Sequence, residues 1–256
     1  MGAACQDEGE DLGLHGVVSN IPASEVCPRI VKNNNDKNCC GYDEAMEVSG
    51  RVKESQVFGE HVVLTRKISL RADKNIFTID DTIENLGFER TPFMLLYHMN
   101  FGFPMLSPAC EILLPSVQAT PRDPVAVQGL SNHLEISDPV DGFEEQVFFH
   151  DMAAGTDGRV HYMLVNSELE LAVEISYPAE QLTHFTQWKC MRSGEYVLGL
   201  EPGNCHVMGR NTARKDGSLK YLEPGQLQNI RIEVQIHKGA ENIKNARVYS
   251  EGTRSK

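Results

Sequence analysis

Between Met46 and His237 the apolar positions recur mostly every second residue, the spacing of strands that bury one face. Nowhere do they hold the three-to-four spacing of a long amphipathic helix. Met46, Val48 and Val52 mark one strand, and His61–Arg71 a longer one. After a turn over residues 72–75, Ile76–Ile83 sets Phe77, Ile79 and Ile83 on one face against Thr78, Asp80 and Thr82 on the other. The two runs predict a long antiparallel hairpin. Further strands are expected at Glu111–Leu114, Glu145–Phe149, Arg159–Val165, Leu171–Tyr177, His184–Lys189 and Glu195–Leu200. Leu227–His237 alternates over its full length, with Ile230, Ile232, Val234 and Ile236 facing inward.

Two stretches depart from plain alternation. Thr91–Pro104 is apolar on both faces and predicts an interior strand, yet His98 and Asn100 sit two positions apart on one of its faces. Buried polar side chains need partners or a ligand. Tyr196–Leu200 is a β-favouring run that stops at Glu201, with Pro202 and Gly203 predicting a turn directly after it. A carboxylate at a strand end is rigidly held and can reach a cleft.

The flanks are polar. Met1–Asp11 reads as an acidic loop or frayed end, Lys32–Gly41 as an Asn-rich mobile loop, and Gly239–Lys256 as a tail with one short helix. The expected architecture is all-β, one large antiparallel sandwich domain over residues 1–256, with 1–11 and 240–256 loosely ordered. A net charge of −12 argues against nucleic acid and anionic membrane as partners, since both require clustered Lys and Arg. No apolar run reaches membrane-spanning length, and the first residues lack a secretory pattern. Seven cysteines, an odd count without CxxC spacing, fit reduced thiols in the cytoplasm.

Small neutral carbohydrates remain compatible with this balance. Trp188 is the single tryptophan and reads either as core or as a platform for the C–H face of a sugar ring. His15 stands between Gly13-Leu and Gly16, where glycines let a ligand approach. Asn204 follows the Glu201 corner, and Arg66 lies on the His61–Arg71 strand, facing either a cleft or an acidic surface partner. His61, His133, His150, His161 and His237 read as solvent or turn residues.

Leu14-His15-Gly16, then Leu96-Tyr97-His98-Met-Asn100, then Leu200-Glu201-Pro202 resemble, in that order, the aldose 1-epimerase (galactose mutarotase) superfamily. Gly13–Ala23, Leu64–Lys67, Leu96–Leu106 and Leu198–Asn204 resemble its DUF4432 branch in particular. The resemblance implies a β-supersandwich with a sugar cleft, N-terminally truncated, because the family's chains carry several strands before the Leu-His-Gly turn. It implies Glu201 as the base that takes the proton from the C1 hydroxyl and His98 as the acid at the ring oxygen. His15 would bind the sugar, with Asn100, Trp188, Asn204 and Arg66 as further contacts. Opening a hemiacetal needs one base and one acid near neutral pKa, and neither a metal nor an organic cofactor. A carbohydrate-binding protein of the same fold without turnover stays open, as does a metal-dependent isomerase using His15, His98, Glu201 and His206. A homodimer is compatible with either.

Overall fold

The structure is a computed structural model that describes residues 2–32, 44–72 and 74–252. The Asn-rich segment expected as a mobile loop falls, after Lys32, outside the described residues. The chain divides into two compact units, residues 1–94 with 207–235, and residues 95–206 with 236–256.

The first unit is organised on long hairpins. β3 (Ser24–Lys32), β4 (Glu44–Ser55), β5 (His61–Arg71), β6 (Ile76–Asn85) and β17 (Leu227–Lys238) lie in the order β3-β4-β5-β6-β17, and each pairing is antiparallel. The expected hairpin is β5 with β6, in register from Val62 opposite Asn85 to Leu70 opposite Phe77. Ile230, Ile232 and Val234 are buried as the alternation requires. On β3, β4 and β5 the matching apolar positions Pro28, Ile30, Met46, Val48, Ile68 and Leu70 line an open groove of about 530 Å³. β3 escaped the sequence reading because it shows no clean alternation, and exposed Val26 and Ile30 sit among Pro28 and charged neighbours.

Within the acidic opening stretch, residues 5–12 form a small hairpin. β1 (Cys5–Asp7) pairs with β2 (Glu10–Leu12), and Asp7 is 4% exposed. Asp7 accepts hydrogen bonds from Arg214 (2.9 and 2.8 Å) and Arg210 (2.7 Å), both on α2 (Arg210–Asp216). The Arg214 and Arg210 guanidiniums hold the Asp7 carboxyl below its ordinary range despite burial. Asp7→Ala removes the acid that both guanidiniums share while leaving them Glu8, Glu10, Glu60 and Tyr221, and is expected to cost about 2 kcal/mol. A urea midpoint unchanged in that variant would mean that the hairpin is held by something else.

Thr91–Pro104, expected as one interior strand, is two short ones: β7 (Thr91–Phe93), paired with β16 (Lys220–Leu222) in the first unit, and β8 (Met99–Phe101) in the second. Between them the backbone is taken up by a neighbouring strand: Leu95 N donates to Asn204 Oδ1 (2.7 Å), Leu96 bridges Gly203, and Tyr97 N donates to the Pro202 carbonyl (2.9 Å). Apolarity on both faces fitted burial, but these bonds replace a continuous ladder.

The second unit is a sandwich. One sheet has the order β10-β11-β14-β15-β8, with β10 Ser116–Pro121, β11 Gln146–Met152, β14 His184–Arg192 and β15 Glu195–Gly203. The other runs β13-β12-β9, with β9 Cys110–Leu113, β12 Arg159–Asn166 and β13 Leu171–Pro178. Tyr162, Tyr177 and Phe185 meet between them, with Tyr162 and Phe185 centroids 5.2 Å apart, and the Tyr162 hydroxyl donates to the Leu200 carbonyl. α1 (Pro124–Gly129), capped by Asp123, packs on β11, and α3 (Ala240–Gly252), in the tail where the sequence predicts one short helix, supplies Ile243 and Ala246 to the core.

Several histidines read from sequence as solvent or turn residues are structural. His150 and His133 share the Gln187 side-chain oxygen at 3.0 Å each, and Gln187 is fully buried. Burial presses His150 down to a pKa of about 4. Glu174 lies between His161 (3.1 Å) and His237 (2.8 Å); burial opposes its ionisation, but the two imidazoles outweigh it and bring its pKa to about 2.

Candidate active site

Glu201 lies inside β15, two residues before its end, rather than at a turn. Pro202 is tolerated there because its missing N–H is not called on, while its carbonyl accepts from Tyr97. Pairing sets Thr186 opposite Glu201 and both Trp188 and Asn100 opposite Gly199. Side chains alternate faces, so Thr186 and Trp188 of β14, Glu201 and Gly199 of β15, and Asn100 of β8 share one face of the sheet. The register is what gathers residues about a hundred positions apart.

His98, just ahead of β8, completes the group. Its Nε2 is 3.2 Å from Glu201 Oε1, with side-chain exposures of 32% and 3%. The approach is within ion-pair range but oblique, and Oε1 is buried without a hydrogen-bond partner. On the other side of the ring, Nδ1 is 2.8 Å from Asn100 Oδ1. An amide oxygen only accepts, so the tautomer with its hydrogen on Nδ1 suits this contact and presents Nε2 to Glu201. Trp188 stands edge-on to His98 at 5.6 Å between centroids, and its Nε1 donates to Glu145 (2.8 Å).

Burial raises the Glu201 pKa to about 8, while an imidazolium at 3.2 Å works in the opposite direction. A raised carboxyl pKa means that the fold prefers the protonated acid. Its contribution to stability is present below the ordinary carboxyl value and is lost as pH rises through about 8. The carboxylate lies back along its own strand over Gly199: a Cβ there would sit 2.3 Å from Oε1. Gly199 is thus part of the site's shape, a role that a glycine in a strand does not reveal in sequence.

The other sequence candidates have partners of their own. Asn204 is 1% exposed and its Oδ1 accepts from Leu95 N, so its carbonyl end fixes backbone. Arg66 makes a two-pronged pair with Asp81 (2.8 and 2.7 Å), whose side chain is fully buried. His15 is exposed, has the left-handed φ of 63° that its glycine frame accommodates, and its N donates to the Gly2 carbonyl. Arg66 and His15 belong to the first unit. His206 packs on His184 (4.3 Å) and Phe149 (4.5 Å). Among the described residues no cluster of three or more His, Cys, Asp or Glu is arranged to hold a metal ion. Thr186, which sequence did not single out, is a buried threonine whose Oγ1 has no hydrogen-bond partner. Only the strand register exposes its significance.

Large antiparallel sheets of this kind are those of the galactose-mutarotase-like fold. The sequence matches the model described as Domain of unknown function (DUF4432) over residues 1–236, and the chain belongs to that family. No curated protein matches the sequence. Among solved structures, a provisionally assigned aldose 1-epimerase from Klebsiella pneumoniae superposes with a TM-score of 0.91 at 23% identity, over 99% of this chain and 65% of that one. The chain therefore spans somewhat less than two thirds of that relative's length. A galactose mutarotase related enzyme from Lactobacillus acidophilus has a TM-score of 0.61 at 14% identity, over 90% of this chain and 77% of its own. A galactose mutarotase-like protein from Clostridium acetobutylicum gives 0.60 at 13%, over 88% and 69%. At these identities the likeness shows the fold.

Proposed function

We propose that the protein interconverts the anomers of a small neutral sugar, with Glu201 as base and His98 as acid. The observation that carries the reading is the 3.2 Å approach of a buried carboxylate and a half-exposed imidazole on a sheet face that also bears Trp188. Ionised Glu201 takes the C1 hydroxyl proton as the C1–O5 bond breaks, and His98 Nε2 delivers its proton to O5, leaving an open-chain aldehyde. Rotation about C1–C2 and the reverse transfers close the other anomer. One proton shared by the pair suffices, because Glu⁻ with His⁺ and neutral Glu with neutral His are two arrangements of the same charge. Asn100 keeps the ring oriented, and Trp188 offers an apolar edge to the sugar. The proposal draws on the second unit's residues only. A cytoplasmic setting agrees with Cys5, Cys27, Cys110, Cys190 and Cys205 all being free thiols. Among the described residues no helix is long and apolar enough to cross a membrane.

The test is NMR of freshly dissolved pure anomers of hexoses, pentoses and deoxysugars, with and without protein. Faster equilibration of at least one supports the reading. If none is accelerated, the reading is wrong, and sugar binding without turnover would favour a carbohydrate-binding protein. The pH dependence gives a second check. The pair works with one proton held between Glu201 and His98, so kcat/KM is expected to fall as pH rises through about 8, where the buried Glu201 carboxyl gives that proton up. Water admitted by Trp188→Ala should move that fall to lower pH. Activity that stays constant well above pH 8 would contradict a proton shared by the pair.

A further inference from the structure

Thr186 and Glu201 face each other directly across the β14–β15 ladder, which sets their Cβ atoms about 5 Å apart on one face. Thr186 is 1% exposed. Its Oγ1 and Glu201 Oε1 are both buried without hydrogen-bond partners. Buried polar atoms are nearly always paired, and these two facing side chains each lack a bond that the other could supply. A hydroxyl serving only to fill space there would be better replaced by the isosteric methyl of valine.

We propose that Thr186 is a positioning residue for Glu201, donating its hydroxyl hydrogen to the carboxylate when that group is ionised. The inference rests on the reading of Glu201 as the base. In the present arrangement the carboxyl is turned back over Gly199 toward His98. Rotation about the terminal torsion of a glutamate is soft, so one oxygen can reach Thr186 while the other stays near His98. The hydrogen bond holds the oxygen that receives the sugar's proton and favours the charged form of an acid that burial otherwise keeps neutral. The titratable side chains set against Glu201 include His98, ahead of β8, and Tyr162 of β12, whose hydroxyl is committed to the Leu200 carbonyl.

The experiment titrates Glu201 by carboxyl ¹³C NMR in the full chain labelled at glutamate. Wild type, Thr186→Val and Thr186→Ser are compared, with Glu201→Gln identifying the signal. Thr186→Val is expected to raise the Glu201 pKa by about one unit, roughly tenfold in acid strength, and Thr186→Ser to restore it. The anomer-exchange kcat should fall about tenfold in Thr186→Val with KM within about twofold. A Thr186→Val titration that overlays the wild type, or a serine variant displaced as far as valine, overturns the proposal. If the valine variant does not fold, Thr186→Ala is read in its place. A wild-type protein that accelerates no sugar would sink the mutarotase reading, while the titration still decides the role of Thr186.

Discussion

Glu201→Gln is expected to lower kcat for anomer exchange by about a thousandfold while leaving sugar affinity within about threefold. The substitution keeps the shape of a side chain that is 3% exposed, so packing around β15 survives. What disappears is the group that accepts the C1 hydroxyl proton. A loss in kcat without a matching rise in KM belongs to a group acting in the transition state. His98→Ala removes the other proton carrier and should behave alike, whereas Trp188→Ala should act mainly on KM. Steady-state anomer exchange with parallel thermal melts separates these outcomes. Equal losses in all three variants, each with a lowered melting temperature, would mean that the residues are structural.

Gly199→Ala is expected to cost about a hundredfold in kcat. The added methyl would stand 2.3 Å from Glu201 Oε1 and 3.3 Å from Trp188 Cβ, so the carboxylate must leave its seat beside His98. Elsewhere in a strand, alanine for glycine relieves backbone entropy and is neutral or mildly stabilising. The clash falls at a buried strand position, so the melting temperature is expected to drop as well, and the signature is a kcat loss that persists well below the melting temperature. Full activity in this variant would show that the carboxylate works from another position.

The strands were legible wherever one face is wet and the other dry. β5, β6 and β17 follow the alternation of their residues because burial selects every second side chain, as at Ile230, Ile232 and Val234. The break between β7 and β8 was not legible, because it depends on Asn204 capturing Leu95 N from 109 positions away. β1 and β2 were hidden for a similar reason: their acids looked solvated until Arg210 and Arg214 were brought beside Asp7. At the site, His98, Asn100, Trp188 and Glu201 stood out by residue type, and the register brings Asn100, Trp188 and Glu201 to one sheet face with His98 just ahead of β8. Gly199 and Thr186 carry no chemical flag of their own. Their importance comes from what lies across the ladder, which a linear pattern does not encode.

The central claim is that Glu201 and His98 address a single anomeric centre. A crystal structure of the Glu201→Gln protein with a bound sugar tests it most directly. The account predicts the C1 hydroxyl within hydrogen-bond distance of residue 201 and the ring oxygen within the same reach of His98 Nε2, about 3 Å in each case. A sugar whose C1 lies away from both side chains would contradict it.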